Sequence, residues 1–410
     1  MRLLHLADVH LGMENYGRLH PQRGLNTRVL DFLACLDEAV SYALDQRLDA
    51  VIFAGDAYKS REPSPTLQRE FASRIHALAR AGLPVYLLVG NHDLPGMPGK
   101  ANSMDIFSTL EVPGVTVCRA PALLTLDTPS GPLQVAGLPA LPRGALLPPD
   151  AGHLGQEELA ALLAQQLLDR VAGLASQVQP GVPALLAAHL SVAGAQVGAE
   201  ANLMAGNELL LPLSALARPE FAYVALGHIH KYQVLNPGAQ PEAVYSGSIE
   251  RVDFGEEADP KGFVVVELEG GRARHTFVPV SARRFLTIRC RIAPGDATAQ
   301  LLAAIGEQEV AGAVVRVVAE MEADQPIDQP AVRAALAQAE WAGPVLREVR
   351  GASLTRNPQL TEHLTDPLRA LDEYFKVHRV SAARSRELRE YAALLLAELE
   401  QEESVTYLEQ

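Results

Sequence analysis

The sequence predicts an α/β protein with a parallel, doubly covered sheet and further strands on a second sheet. Three observations carry this. Short apolar runs alternate with amphipathic stretches through the first 90 or so residues, the βαβαβ pattern of parallel strands covered on both faces. More apolar runs, "PALLAAHL", "FAYVALGHIH" and "KGFVVVELEGGRARHTFVPV", add β content after residue 180. Five of the apolar runs end in carboxylate, amide or imidazole side chains.

The elements follow in order. "RLLHLAD" reads as the first strand. In "TRVLDFLACLDEAVSYALDQR" the residues Val29, Leu33, Leu36, Val40 and Leu44 recur at three- and four-residue steps, which makes an amphipathic helix. "DAVIFAGDAY" is the second strand. "SPTLQREFASRIHALARAG" is a helix with Ser64 as N-cap, Pro65 in the first turn and Gly82 just past its end. "PVYLLVGNHD" is the third strand. Residues 115–140 read as a small antiparallel portion about the turn "TPSG", and a helix is expected at 156–177. "AVYSGSIERVDF" continues the β content, and "KGFVVVELEGGRARHTFVPV" folds as a hairpin across "EGG". After Val280, "RRFLTIRCRI", a helix near 296–307, "GAVVRVVAEM", a helix near 329–340 and "PVLREVRG" suggest a small βαβαβ-like module. From about Leu360 the chain reads as helical, with a break near "HRVS". Leu364, Leu368, Leu371 and Phe375 form one apolar stripe, and Leu388, Tyr391, Leu395 and Leu399 another. Three domains or segments are expected, at 1–280, 281–352 and 353–410.

The chain has 410 residues and a net charge of −14. That charge argues against a generic nucleic-acid coat, which would be basic. It leaves room for a nuclease whose groove or partner supplies positive charge locally. Cys35, Cys118 and Cys290 are scattered with no CxxC, which fits a reducing cytoplasm without a disulfide framework. No apolar run approaches the ~18 residues of a membrane span. The opening "MRLLHLADVH" places Asp8 and His10 where a signal peptide needs an uninterrupted apolar stretch. A soluble, cytoplasmic protein without membrane contact is expected.

The strand ends carry the chemistry. They are Asp8-Val9-His10, Gly55-Asp56, Gly90-Asn91-His92-Asp93, His189 and Gly227-His228-Ile229-His230. Parallel strands gather their C-terminal ends along one edge, where ligands bind. Singly, DxH and GD are ordinary strand-to-turn chemistry. GNHD is more specific, because the histidine is surplus to a turn, and GHIH sets two imidazoles two residues apart. Together these ends present carboxylates, an amide and at least four imidazoles. A core has no use for that set, since each group costs free energy unless paired or metal-bound. Asp, His and Asn without cysteine speak against structural zinc. They suit two divalent ions, manganese foremost, with magnesium, iron or zinc as alternatives. Seven candidate ligands are too many for one ion, and a bridging carboxylate such as Asp56 would let them serve two. Two metals roughly 3.5–4 Å apart clamp the attacking and leaving oxygens of a phosphoryl displacement.

This order of motifs resembles the calcineurin-like metallophosphoesterase superfamily, whose fold is a two-sheet sandwich flanked by helices. "GDAYKSREPSP" and "YSGSIERVDFGEEADPKGF" are similar to the SbcCD-type branch of the recombination-repair nucleases, which work with an SMC-like ATPase. The motifs cover residues 1 to about 262; beyond that the likeness is one of architecture, a small capping domain followed by helices. The resemblance implies one metal on Asp8, His10, Asp56 and His230, and a second on Asp56, Asn91, His189 and His228. His92 would act on the scissile phosphate and leaving group, and Asp93 would orient His92 by hydrogen bonding. Many members carry histidine, and some aspartate, at the position of Lys59. A lysine there could instead touch backbone phosphate. The implied activity is DNA phosphodiester hydrolysis, exonuclease on duplex ends and endonuclease on single strands. The implied partners are DNA, an SbcC-type ATPase bound by the C-terminal helices, and a second copy of the chain. The homodimer contact is expected on the helix at 64–81 and the segment Met104 to Leu110, with Ile106, Phe107 and Leu110 as exposed anchors. Two alternatives stand beside the nuclease: a small-molecule or protein phosphoesterase on the same site, and a non-catalytic scaffold for the ATPase.

Overall fold

A computed structural model of the chain describes residues 1–95, 97, 100–147, 155–198, 209–322, 325–349, 367–377, 380–381 and 384–393. The chain divides into two compact units, Met1–Glu348 and Val349–Gln410.

The first unit opens with β1 (Arg2–Leu6), α1 (Thr27–Asp45), β2 (Ala50–Phe53), α2 (Pro65–Arg80), β3 (Val85–Leu88), α3 (Asp105–Thr109) and β4 (Val115–Cys118). It continues with β5 (Ala122–Thr128), β6 (Gly131–Leu138), α4 (Gln156–Ser176), β7 (Ala184–His189), β8 (Ser191–Val192), β9 (Leu210–Leu211) and β10 (Tyr223–Gly227). Then come β11 (Gln233–Val234), β12 (Glu242–Tyr245), β13 (Gly262–Glu269) and β14 (Arg272–Pro279). Two six-stranded sheets result, in the orders β14-β13-β1-β2-β3-β4 and β11-β12-β10-β7-β6-β5. β1 to β4 run parallel, as do β6, β7, β10 and β12. β13 and β14 form the hairpin expected across "EGG".

Successive strand residues point to opposite faces, and β1 shows what this does. Leu4 and Leu6 pack under α1 and α2 with Val29, Phe32, Leu36, Phe71 and Ile75. Leu3 points the other way, into the layer between the sheets with Ile52, Leu88, Val135, Leu185 and Val244. α4 covers the far face of the second sheet through Leu163, Leu167 and Val171. Ser64 caps α2 by accepting from the Leu67 amide, as its sequence position predicts. One expectation is corrected. Residues 115–140 do not form one antiparallel portion: β4 extends the first sheet parallel to β3, and only β5 and β6 pair antiparallel, about "TPSG", in the second. Val115 and Val117 pack on the α1 and α2 side, so burial rather than chain proximity chose the partner of β4.

β15 (Phe285–Arg291), β16 (Val314–Met321), β17 (Trp341–Ala342) and β18 (Leu346–Val349) make a separate four-stranded sheet. β15, β16 and β17 are parallel, with helices Ala297–Gly306 and Gln329–Ala335 in the crossovers. The second helix is shorter than its sequence pattern suggests. Phe107 is buried, its ring 6.4 Å from that of Phe71, so it is no surface anchor; an aromatic this large stabilises more inside the core. Ile106 and Leu110 are exposed.

In the second unit Pro367–Val377 is helical, as are residues 384–393, and Arg389 pairs with Asp372. Phe375 is buried; Leu364, Leu395 and Leu399 lie outside the described residues. Among the described residues no helix is long and apolar enough to cross a membrane.

Candidate metal centre

The ends of β1, β2, β3, β7 and β10 meet at one edge of the sandwich, and all nine residues singled out from the sequence stand there. The backbone is forced to present them. Asp8, His10, Asp56 and His228 have φ of 52°, 44°, 59° and 101°, a region that costs side-chain-bearing residues roughly 1–2 kcal/mol each. Four such residues in one place mark a site that tertiary contacts hold against local preference. The glycines of GNHD and GHIH have a reason too. A Cβ on Gly90 would collide with the Asp56 carboxylate, and one on Gly227 with the Ala54 carbonyl.

Two groups of donor atoms form. Asp8, His10 and His230 lie within 4.8 Å of one another, and so do Asp56, His189 and His228. His10, Asp56 and His92 make a third, overlapping set, so Asp56 stands between the two ends of the cluster. Asp56 Oδ2 is 3.3 Å from His189 Nε2 and 3.7 Å from His10 Nε2. Asn91 Oδ1 is 2.9 Å from both His189 Nε2 and His228 Nδ1. His10 Nε2 and His230 Nε2 face each other at 2.9 Å.

These contacts test whether ions fit. His189 Nδ1 lies 2.8 Å from the Ala54 carbonyl and His230 Nδ1 2.8 Å from the Glu256 carboxylate. Both partners only accept, so each Nδ1 carries a proton, and a lone pair for an ion can come only from Nε2. Lone pairs and oxygens about 3 Å apart repel unless a cation or a proton sits among them. Ligand atoms about 2.1 Å from a shared ion and at right angles to each other stand about 3.0 Å apart. The donor set and its spacing therefore fit divalent ions.

The protein's own protons supply only some of that charge. Burial pushes the Asp8 carboxyl up, and the Asp56 charge adds to it against His189 and His230. Burial also pushes Asp56 up, but His189, His10 and His92 outweigh it and hold Asp56 well below the carboxylate range. Burial lowers His189, yet Asp56 and Asp8 bring it up to about 9. Burial and His230 hold His10 well below the usual imidazole range.

His92 is exposed and stands apart from the others in role. Its amide donates to Asp56 Oδ1 at 2.8 Å, and its Nδ1 lies 2.8 Å from the Lys59 carbonyl. The ring, edge-on to His10 at 4.8 Å, keeps Nε2 for a ligand of the centre. The role expected for Asp93 is corrected here. Asp93 does not orient His92: its buried carboxylate accepts from the amides of Gly90, Asp56, Ala57 and Tyr58 at 2.9–3.3 Å. Burial and the Asp56 charge push its carboxyl up to about 7, against the pull of the Gly90 and Ala57 amides. It ties the β2 loop to the β3 loop and so places Asp56 relative to Asn91. What holds the His92 ring is the main chain of Lys59, while the Asp56 carboxylate holds only its amide.

Sequence reasoning passed over two supports. One is the Ala54 carbonyl, which no side-chain pattern can reveal. The other is Glu256, inside "YSGSIERVDFGEEADPKGF", which is 1% exposed in the fold but which no pattern in its own stretch of sequence marks out. A cavity of about 770 Å³ opens beside the second group, lined by Asn91, His189 and His228 and by leucines of α4 and the β6 end.

Comparison with known proteins agrees with this geometry. The calcineurin-like phosphoesterase family model matches residues 1–232, more than half of the chain. The SbcD subunit of nuclease SbcCD from Rhodobacter capsulatus is 32% identical over 305 residues, 68% of this chain and 69% of that protein. The Bacillus subtilis protein of the same name is 28% identical over 278 residues, 66% of this chain and 67% of its own. The DNA double-strand break repair protein Mre11 of Methanosarcina acetivorans is 26% identical over 296 residues, 71% of this chain and 41% of its own. The chain therefore belongs to the calcineurin-like phosphoesterase family, as a metallophosphoesterase of the SbcD type.

Proposed function

We propose that the chain is the nuclease subunit of an SbcCD-type complex and hydrolyses DNA phosphodiester bonds on a dinuclear centre. The observation that carries this is the pair of donor groups with Asp56 within reach of both His189 and His10, and the exposed His92 beside them. Asp8, His10, Asp56 and His230 would hold one ion, and Asp56, Asn91, His189 and His228 the other. The ions, manganese in this proposal, would polarise the phosphate and lower the pKa of a nucleophilic water. The chain's own residues do the rest. Ala54 and Glu256 keep Nδ1 of His189 and His230 protonated, so that each Nε2 faces the centre. Asp56 holds the His92 amide, and Lys59 fixes the ring, so that Nε2 of His92 can pass a proton to the leaving oxygen.

The proposal extends to exonuclease action on duplex ends and endonuclease action on single strands, in repair and recombination in the cytoplasm. It divides the chain into a nuclease domain (1–280), a capping domain (281–352) and a helical segment (353–410) that binds the SbcC-type ATPase. The net charge of −14 supports a division of labour in which partner and homodimer supply most of the affinity for DNA. Exposed Ile106 and Leu110 support the dimer contact. A second reading, hydrolysis of small-molecule or protein phosphoesters, draws on the leucine-lined cavity beside the second group. Linear duplex DNA, circular single-stranded DNA, a chromogenic diester and a chromogenic monoester, each with manganese, decide between them. The nuclease reading expects cleavage of the DNA substrates and the diester. Turnover of the monoester alone would overturn it.

A further inference from the structure

His230 is held differently from the other imidazoles of the centre. His189 and His92 rest Nδ1 on main-chain carbonyls, whereas His230 Nδ1 lies 2.8 Å from Oε1 of a carboxylate, Glu256. The other oxygen of Glu256 is also engaged. Lys261 Nζ stands 2.7 Å from Oε2, the Val252 amide donates to it at 2.9 Å, and the Ser248 hydroxyl lies at 3.4 Å. Lys261, 2% exposed, donates in turn to the His230 carbonyl at 3.1 Å and to Ser248 at 2.8 Å. One buried ion pair thus grips His230 by its ring and by its main chain.

The turn that carries Glu256 is itself pinned. Phe254–Glu256 is a single 3₁₀ turn capped by Asp253. Phe254 packs edge-on against Tyr16 at 5.1 Å and Phe285 at 4.9 Å, and the Arg316 guanidinium lies 4.3 Å over its ring. On the other side Glu257 accepts from the Thr287 amide at 2.8 Å and from the Thr287 hydroxyl. Glu256 is therefore fixed by the small sheet at β15 and β16 as well as by its own ion pair. A carboxylate on Nδ1 fixes a ligating imidazole's tautomer and ring angle and makes Nε2 more basic.

We propose that Glu256 is a positioning residue of the metal centre, which tightens the ion held by Asp8, His10 and His230 and leaves the ion near Asn91, His189 and His228 unaffected. This rests on the reading of His230 as a ligand. The test is manganese binding to the full chain by calorimetry, with His230→Ala as reference and melting of the ion-stripped protein as the check on folding. Wild type is expected to take up two ions. Glu256→Gln is expected to weaken one of them roughly 10–100-fold and to leave the other at its wild-type affinity. Because this change leaves Lys261 without its counter-charge, the double change Glu256→Gln with Lys261→Met is measured beside it, with the same selective loss expected. Wild-type affinity for both ions in a folded Glu256→Gln protein would overturn the inference. So would equal weakening of both ions in the double variant, which is what a purely structural role predicts. If His230→Ala itself keeps two ions at full affinity, the ligand reading of His230 fails, a result distinct from either.

Discussion

Replacing Asp93 by alanine separates a structural carboxylate from a catalytic one. Its two oxygens accept from four main-chain amides, those of Gly90, Asp56, Ala57 and Tyr58, at 2.9–3.3 Å, and the residue is fully buried. Alanine orphans all four donors. A water admitted to the vacated space can satisfy about two of them. Each of the two left over costs about 1–3 kcal/mol, so the variant should lose roughly 2–6 kcal/mol. That is a large share of the ~5–15 kcal/mol by which a domain is stable. The assay is urea denaturation of the ion-stripped protein, followed by manganese titration and diester hydrolysis on whatever folded protein remains. The midpoint should fall, and manganese binding should weaken with it, because Asp56 loses its tether to the β3 loop. An Asp93→Ala protein with wild-type stability and manganese affinity, but without hydrolysis, would refute this reasoning and return Asp93 to the catalytic role expected from sequence.

His92→Gln should behave in the opposite way: unchanged midpoint, two manganese ions bound, and hydrolysis lower by roughly 10²–10⁴-fold. Loss of an ion in that variant would move His92 into the ligand set, which its place beside His10 and Asp56 makes a real alternative. Asp56→Ala should weaken both ions, since this carboxylate stands between the two groups; an unchanged uptake of two ions would refute the bridge. Manganese binding should also release protons. His189, brought up to about 9 by Asp56 and Asp8, carries a proton near neutral pH that an ion must displace. Deprotonated His189 grows about tenfold per pH unit below that value, so the affinity of its ion should rise similarly from about pH 7 to 8 and level off above about pH 9. Calorimetry in buffers of different protonation enthalpy reads the proton directly, and no release at about pH 7.5 would contradict a protonated His189 there.

The ligand candidates were legible in the sequence because each sits where an apolar strand stops. A strand of the doubly covered sheet is read by its continuous hydrophobicity, and the first polar residues after it must lie at the sheet edge. Asp8, Asp56, Asn91, His189 and His228 are therefore placed by a local rule, and their glycine neighbours by the space those side chains need. The helices were legible too, α1 from its three-and-four spacing and α2 from its cap at Ser64 with Pro65 and Gly82 at its two ends. What local patterns could not supply was the partner of each polar atom. GNHD reads the same whether Asp93 faces His92 or the amides of the β2 loop. Only the packing of β2 against β3 decides that the three amides of Asp56, Ala57 and Tyr58 come within reach and, with that of Gly90, claim the carboxylate first. Glu256 lies 26 residues from His230, and Ala54 lies 135 from His189, so nothing in either stretch announces the contact. The pairing of β4 with β3 and the burial of Phe107 belong to the same class, since both depend on which apolar face lay open once the helices were in place. The sequence by itself determines which chemistry is present and at which strand ends. Tertiary structure decides which atoms meet, because a hydrogen bond or an ion pair is won by whichever partner the fold brings within about 3 Å.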